Sequence, residues 1–250
     1  MTFADGRGRG VRSGERADSG GKIVRNHILG DIPDAEFRAI RPHLEFLALP
    51  HHCILHEPSR NLKYVYFLNS GLISLVVAME DGKTVEAAVV GREGAAGLPS
   101  VVSLMRSPLR EVVQIPGEGF RVKVGALGGV LQSSPKLQMM LSRYAVVQGI
   151  QVAQTAACNR LHDLERRLAR WLLMAQDRVA SASLFITHDF LATMLGTDRP
   201  SVSLAAGILQ KKRTIEYSRG AVKILNRRKL ENSACECYSV IQQFNEAVGL

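Results

Sequence analysis

The residue pattern changes character at Ser134-Pro135, and this change limits the folds open to the chain. Before it, short runs rich in β-branched and aromatic residues alternate with Gly, Pro, Asn and Asp turn signals. After it, no proline occurs between Lys136 and His162, and apolar residues recur at three- and four-residue steps. The order predicts an α+β protein with a β-roll, or jelly-roll-like, N-terminal half and a helical C-terminal half.

Several short strands are predicted in the N-terminal half, after a short helix over Asp34–Pro42 that buries Phe37 and Ile40. The predicted strands are Tyr64–Leu68, Leu72–Val77, Thr84–Val90, Glu111–Ile115 and Gly119–Val124. Asp81-Gly82 is a hairpin signal between two of them. Many short strands joined by turns at regular spacing are typical of a barrel or jelly roll.

Two helices are predicted next, one of up to 27 residues from Lys136 to about His162 and one over Leu164–Arg178. A helix this long between two domains is either an ordinary packed element or a dimer seam. Gln148, Gln151 and Gln154 weaken a strict coiled-coil interpretation.

The segment His188–Gln210 has the pattern of a helix-turn-helix. A first helix runs over His188–Leu195, Gly196 supplies a left-handed turn, and a second helix runs to about Lys212. The spacing Ala192…Gly196…Val202 is typical of DNA-binding units. Thr187 caps the first helix, Thr197 or Asp198 caps the second, and Pro200 falls in the first turn of the second helix.

The stretch after the second helix, Ile215–Leu225, has the pattern of a hairpin with a Ser-Arg-Gly tip, which predicts a wing along the phosphate backbone. Arg199 is placed to make a bidentate contact with a guanine edge. The other residues predicted to touch double-stranded DNA are Thr187, His188, Pro200, Ser201, Ser203, Lys211, Ser218, Arg219 and Lys223.

Charge supports the same function. Nine basic residues and one acid lie between Arg199 and Leu230, a net +8 out of +9 for the whole chain. A clustered excess of this kind is the electrostatic mark of a polyanion partner. A basic run taken alone favours a solvated surface instead.

These features divide the chain into five parts. Residues 1–21 are predicted to be a disordered tail, 22–133 a sensor-like β-roll, 134–163 the central dimerisation helix, 164–232 a winged helix-turn-helix and 233–250 a C-terminal tail. No apolar run reaches the length of a membrane span and no signal peptide is recognisable, so we expect a cytoplasmic, nucleoid-associated protein that does not bind a membrane.

Over about residues 26–232 the chain resembles the Crp/Fnr superfamily of bacterial transcription regulators. The resemblance rests on the β-roll with its glycine-rich Gly91–Gly97 stretch, the long helix, and the run from Ile186 to Ser203. It implies a homodimer through the central helix, a palindromic operator, an effector sensed in the β-roll, and contact with RNA polymerase if the protein activates transcription.

The residues that bind cyclic AMP in members of that family are altered here. Where those members carry a Gly-Glu pair, this chain has Gly94-Ala95, and where they carry an Arg-Ser pair it has Arg110-Glu111. If the alignment is shifted by a few residues, Arg106-Ser107 becomes the candidate Arg-Ser pair, but Ala95 still stands in place of the Glu. A carboxylate beside a phosphate site repels it. We therefore expect that cyclic AMP is not the effector, and that Gly94, Ala95, Arg110 and Glu111 mark a weak effector pocket of another kind, its small molecule unknown.

Other constellations give weaker signals. Cys235-Glu236-Cys237 is too closely spaced for a usual zinc knuckle, with no partner pair evident, which favours plain or redox-sensitive thiols and no metal or other cofactor. If His51–His56 is a strand, alternation places His52 and His56 on one face and His51 and Cys53 on the other, and two ligands on a face are too few for a metal site. No catalytic triad or carboxylate pair stands out, so we expect no enzyme; a ligand-binding module without specific DNA binding is the alternative.

Overall fold

The computed structural model describes residues 15–179 and 181–247. Most of the predicted disordered tail, residues 1–14, lies outside the described residues. The remainder of that tail is ordered, which corrects the prediction: Ala17 pairs with Ile23, and Arg16 Nη1 donates a hydrogen bond to the Leu29 carbonyl at 2.7 Å. Its polar composition hid these contacts with the β-roll.

Two four-stranded antiparallel sheets form the N-terminal β-roll, with orders β1-β8-β3-β6 and β2-β7-β4-β5. The strands are β1 (Glu45–Leu49), β2 (Ile54–His56), β3 (Tyr64–Leu68), β4 (Leu72–Ala78), β5 (Thr84–Val90), β6 (Ala95–Ala96), β7 (Arg110–Ile115) and β8 (Gly117–Lys123). Phe67 and Phe120 are fully buried between the sheets. The five predicted strands are present, whereas the three-residue β2 and two-residue β6 are too short to leave a periodic signal.

Helices close the ends of this domain. They are α1 (His27–Asp31), α2 (Asp34–Ile40) and α3 (Val124–Leu131). Phe37 and Ile40 of α2 are buried as predicted. Both predicted ends of the last strand are corrected. β8 starts earlier, at Gly117, which pairs with Leu49, and it ends at Lys123 because Val124 already begins α3.

Two long helices follow, α4 (Pro135–Leu161) and α5 (Leu164–Val179). Tyr144 of α4 and Trp171 of α5 are buried against the β-roll and the following domain. The two helices are separated by His162, whose backbone is extended (φ −110°, ψ 147°), and by Asp163, which accepts a hydrogen bond from the Arg166 amide at 3.0 Å. We call this break between α4 and α5 the hinge, a name for its position in the chain.

The C-terminal half contains the predicted helix-turn-helix. Its elements are β9 (Ser183–Phe185), α6 (His188–Leu195), α7 (Arg199–Lys211), β10 (Ile215–Ser218), β11 (Ala221–Ile224), α8 (Arg227–Ser233) and α9 (Cys237–Ala247). β10, β11 and β9 form a three-stranded antiparallel sheet. The segment taken for a C-terminal tail thus contains a helix, α9, which packs on α4 and α5 and buries Ile241.

The two halves share part of their core. Leu72, Val89 and Ile115 of the β-roll belong to the same buried cluster as apolar side chains of α5, α6 and α7. The helix-turn-helix is therefore held directly against the β-roll.

Among the described helices, none combines the length and the apolar character needed to cross a bilayer.

Candidate nucleic-acid interface

Local hydrogen bonds define the start of each helix of the helix-turn-helix. Thr187 Oγ1 accepts a hydrogen bond from the Phe190 amide at 3.2 Å and starts α6, while Asp198 accepts one from the Ser201 amide at 2.8 Å and starts α7. Gly196 takes φ +60° between them, a conformation that glycine adopts at low cost. Asp198, not Thr197, is the cap of the second helix.

One face of α7 points to solvent. The Arg199 side chain is 65% exposed and lies 3.5 Å from Asp189, a loose surface ion pair. Leu204, one turn further along, is 70% exposed, an unusual position for a large apolar side chain. Pro200 and Lys211 are exposed on the same helix.

Three of the predicted DNA contacts already have partners within the domain. Ser201 Oγ donates to Asp198 Oδ2 at 2.9 Å, and Ser203 Oγ donates to the Arg199 carbonyl at 3.0 Å. His188 Nδ1 lies 2.8 Å from Ser203 Oγ, and the His188 ring stacks on Tyr217 with centroids 3.9 Å apart. His188 thus links α6 to α7 through Ser203 and to the wing through Tyr217.

The wing turns at Arg219 and Gly220, both with positive φ, as in the tight turn that matches the twist of a hairpin. The Ile186 amide donates to the Gly220 carbonyl at 2.8 Å, so the wing tip lies beside the cap residue Thr187. Ser218 and Lys223 are exposed on the hairpin. Thr187, the wing and the start of α7 thus border one surface.

The nine basic residues between Arg199 and Leu230, which we call the basic block, include some that pair with acids within the protein and others that are exposed to solvent. Arg227 pairs with Asp177 at 2.7 Å and with Glu231 at 2.9 Å, and Lys212 pairs with Glu165. Arg219 and Lys223 are exposed on the wing, together with Lys211 on α7. Part of the charge excess is therefore paired with acidic residues of α5, and part lies exposed on α7 and the wing.

The proposed effector residues do not line one pocket. Gly94 packs against the Tyr144 ring of α4, and a Cβ atom at Gly94 would lie 1.8 Å from Tyr144 Cζ. Glu111 is buried, lies 2.6 Å from His56 Nδ1 and accepts from the Gly97 amide at 3.1 Å. Arg110, on the opposite face of β7, pairs with Glu57 at 2.9 Å.

The glycine-rich loop is closed by a buried ion pair. Arg178 of α5 lies 2.9 Å from Glu93, and the Tyr144 hydroxyl donates to the same carboxylate at 3.4 Å. Ala95 is fully buried in β6. Side chains of α4 and α5 thus occupy the space in front of this loop.

A cavity lies between the β-roll and the C-terminal domain. It has a volume of about 840 Å³ and is bordered by Arg110 and Ile54 of the β-roll and by Phe185, Phe190 and Met194 of the C-terminal domain. No sequence signal pointed to this cleft, because its walls come from separate domains.

Two sequence interpretations of metal-type residues need correction. His51 and His52 lie in a turn and stack on each other at 3.7 Å, so the strand alternation assumed for them is wrong. The statement that no partner pair lies near Cys235 and Cys237 is also wrong, because Cys158 and His162 of α4 lie beside them. Neither relation is visible along the chain.

Together, the β-roll, the long helix and the wing beside an exposed α7 define a winged-helix protein with a sensor-like N-terminal domain. Residues 166–233 match the family model of the Crp-like helix-turn-helix domain. No curated protein matches the chain.

Solved structures show the same fold over most of the chain. A transcriptional regulator of the Crp/Fnr family from Eubacterium rectale is 16% identical with a TM-score of 0.64, covering 82% of this chain and 96% of that one. FixK2 from Bradyrhizobium japonicum is 16% identical with a TM-score of 0.66, covering 77% and 98%. TTHB099 from Thermus thermophilus, a regulator of the CRP family, is 19% identical with a TM-score of 0.62, covering 76% and 96%.

The chain therefore has the fold of Crp/Fnr transcription regulators and carries their type of helix-turn-helix domain. The resemblance inferred from the sequence and the α+β fold class are both confirmed.

Proposed function

We propose that the protein is a sequence-specific transcription regulator that binds a palindromic operator as a homodimer. The observation that carries this proposal is the exposed Arg199 at the start of α7, bordered by the wing tip and by Thr187. A helix of this kind enters the major groove with its N-terminal residues against base edges. We call α7 the recognition helix.

Each exposed side chain has a role in this proposal. Arg199 donates two hydrogen bonds to a guanine, and Leu204 makes apolar contact with a thymine methyl group. Thr187, Ser218, Arg219 and Lys223 bind phosphates and set the position of the helix without reading the sequence. His188, Pro200, Ser201 and Ser203 hold or flank the start of the recognition helix, and Lys211 lies on its later turns.

Dimerisation through α4 is supported by the side chains it exposes. Met139, Val146 and Ala153 follow one another at seven-residue spacing, and all are exposed in the single chain. Gly149 lies between Val146 and Ala153, Ala156 follows Ala153, and both small residues allow a second helix to approach closely. Exposed apolar side chains at this spacing are the pattern of a helix–helix interface.

Effector control, if it operates through the β-roll, uses a molecule other than cyclic AMP. Tyr144 and the Glu93–Arg178 pair fill the space in front of Gly94, and Glu111 adds a carboxylate nearby. We propose the β-roll, central helix and winged helix-turn-helix as the three domains within residues 22–232, a location in the cytoplasm at the nucleoid, contact with RNA polymerase if transcription is activated, and no enzymatic activity.

The test is selection of DNA from a random pool by the purified protein, with genome-wide binding in the host as a second source of the operator. We expect a two-fold symmetric motif bound with a strong salt dependence. Weak binding that is equal for all sequences would instead favour the alternative, a ligand-binding module without specific DNA binding.

A further inference from the structure

Four side chains with metal-binding atoms converge at the hinge. Cys158 lies in the last turn of α4 and His162 directly follows that helix, while Cys235 precedes α9 and Cys237 is its first residue. Their Sγ atoms and one imidazole nitrogen all lie within 4.8 Å of one another. Because Cys158 and Cys235 are 77 residues apart, only the packing of α9 on α4 creates this group.

The spacing of these atoms suits one ion. Cys158 Sγ lies 3.4 Å from Cys235 Sγ, and Cys237 Sγ lies 3.5 Å from His162 Nδ1. In a tetrahedral site with Zn–S bonds of about 2.3 Å, ligand sulfurs are separated by about 3.8 Å. Small side-chain shifts would bring all four ligands to this geometry, and three cysteines with one histidine are a common structural zinc set.

The surroundings orient the ligands as in known metal sites. His162 Nε2 lies 3.2 Å from Glu236 Oε1, which fixes the tautomer that leaves Nδ1 free to bind a metal. Gln154 Nε2 donates to Cys237 Sγ at 3.2 Å. The three thiols are buried.

Other uses of these residues explain less of the geometry. A Cys158–Cys235 disulfide would leave Cys237 and the His162–Glu236 pair without a role. A cluster of several irons would need its ligand sulfurs spread more widely than around a single ion.

We propose that Cys158, His162, Cys235 and Cys237 bind one zinc ion that fixes α9 to the hinge between α4 and α5. His162 is the extended residue of that hinge, so the ion would restrain the angle between the central helix and the DNA-binding domain. Binding by four residues from two segments stabilises the folded state, because the unfolded chain offers no preformed site.

The first experiment measures metal in the full-length protein purified without oxygen and without chelators. We expect one zinc per chain, and Co²⁺ added to the stripped protein should give the visible bands of tetrahedral cobalt thiolate. Cys237→Ser and His162→Gln should lose the zinc and change the cobalt spectrum, whereas Cys53→Ser, which removes the one cysteine outside the group, should behave as wild type.

Glu236→Gln keeps the proposal testable if a ligand variant does not fold. Its side chain is largely exposed, so folding should be unaffected, while zinc affinity should fall by about 10- to 100-fold. Hydrogen exchange of α9 should be faster in the stripped protein and slow again when zinc is added. These measurements use no DNA, so they succeed or fail independently of operator binding.

Three outcomes would overturn the zinc site. They are protein that neither contains nor binds zinc, zinc binding that the Cys237 and Glu236 variants leave unchanged, and the iron content and visible absorption of an iron–sulfur cluster.

Discussion

At the scale of residues, Arg199 is the side chain on which sequence recognition is expected to depend most. It is the first residue of α7, where the guanidinium reaches outward, and its only recorded ion pair among the described residues is the loose contact with Asp189. A loose surface pair of this kind contributes little energy, so exchanging it for a guanine costs little. Base recognition is therefore expected to depend strongly on this arginine.

Replacing Arg199 by Ala should weaken binding to the selected operator by about 1–3 kcal/mol and relax the preference at one base pair of each half-site. Fluorescence anisotropy with operator and single-base variants measures both effects. Arg228→Ala is the matched control: Arg228 is an exposed arginine of the same basic block on α8, and its loss should at most reduce the salt slope. Unchanged base preference in Arg199→Ala would remove this residue from the reading of sequence.

At the scale of elements, the two opposite faces of α4 have different surroundings. One face carries Tyr144 into the glycine-rich loop of the β-roll. The other presents Val146 and Ala153 to solvent. The same helix thus lies between the β-roll and the proposed dimer partner.

The outward face predicts the effect of Val146→Lys. Val146 is 63% exposed in the single chain, so the change should leave its fold intact. A buried, unpaired lysine in the dimer should raise the dimer dissociation constant at least about 10-fold. Sedimentation equilibrium measures it, with Met79→Lys, another exposed apolar side chain, as control. A dimer that tolerates Val146→Lys would place the interface elsewhere.

The inward face predicts a clash in Gly94→Ala. The new methyl group would overlap the Tyr144 ring, so the free energy of unfolding should fall by about 1–3 kcal/mol. In a Tyr144→Ala background the same change should cost much less, which urea denaturation can test as a double-mutant cycle. Gly128→Ala on α3 meets nothing within 4 Å and serves as control. Equal costs in both backgrounds would argue against the contact.

For the whole molecule, a buried carboxylate joins the two domains. Glu86 of β5 accepts a hydrogen bond from Trp171 Nε1 at 2.7 Å and another from Ser74 Oγ. Burial raises the pKa of Glu86 from 4.5 to about 7. Between those values the folded protein binds more protons than the unfolded chain, so stability falls as pH rises from about 4.5 through about 7.

Glu86→Gln should remove this loss, because a neutral amide keeps the hydrogen bonds without a buried charge. Above pH about 7 the variant should gain up to about 3 kcal/mol relative to wild type, and the gain should disappear below pH about 4.5. Denaturation curves across this pH range measure the difference. The exposed Glu118→Gln on β8 is the control, and a gain independent of pH would contradict a raised pKa at Glu86.

Features encoded by neighbouring residues were predictable. Period, turn and capping signals located β3, β5 and α6 at the bounds the structure has, and placed Gly196 and the wing between the correct elements. Those signals act through hydrogen bonds and side-chain spacing within a few residues, so the sequence carries them directly. The same holds for the exposed position of Arg199 at the start of α7.

Features made by residues distant in the chain were decided only by the tertiary structure. Tyr144 of α4 contacts Gly94 in the glycine-rich loop of the β-roll. Trp171 of α5 donates a hydrogen bond to Glu86 of β5. Cys158 and Cys235 come together only because α9 packs on α4. No local pattern encodes such meetings, because they depend on how whole helices and sheets bury their apolar faces against one another. The sequence by itself therefore determined the helix-turn-helix and the wing. The tertiary structure decided how α4 and α5 pack against the β-roll and which side chains meet at the hinge.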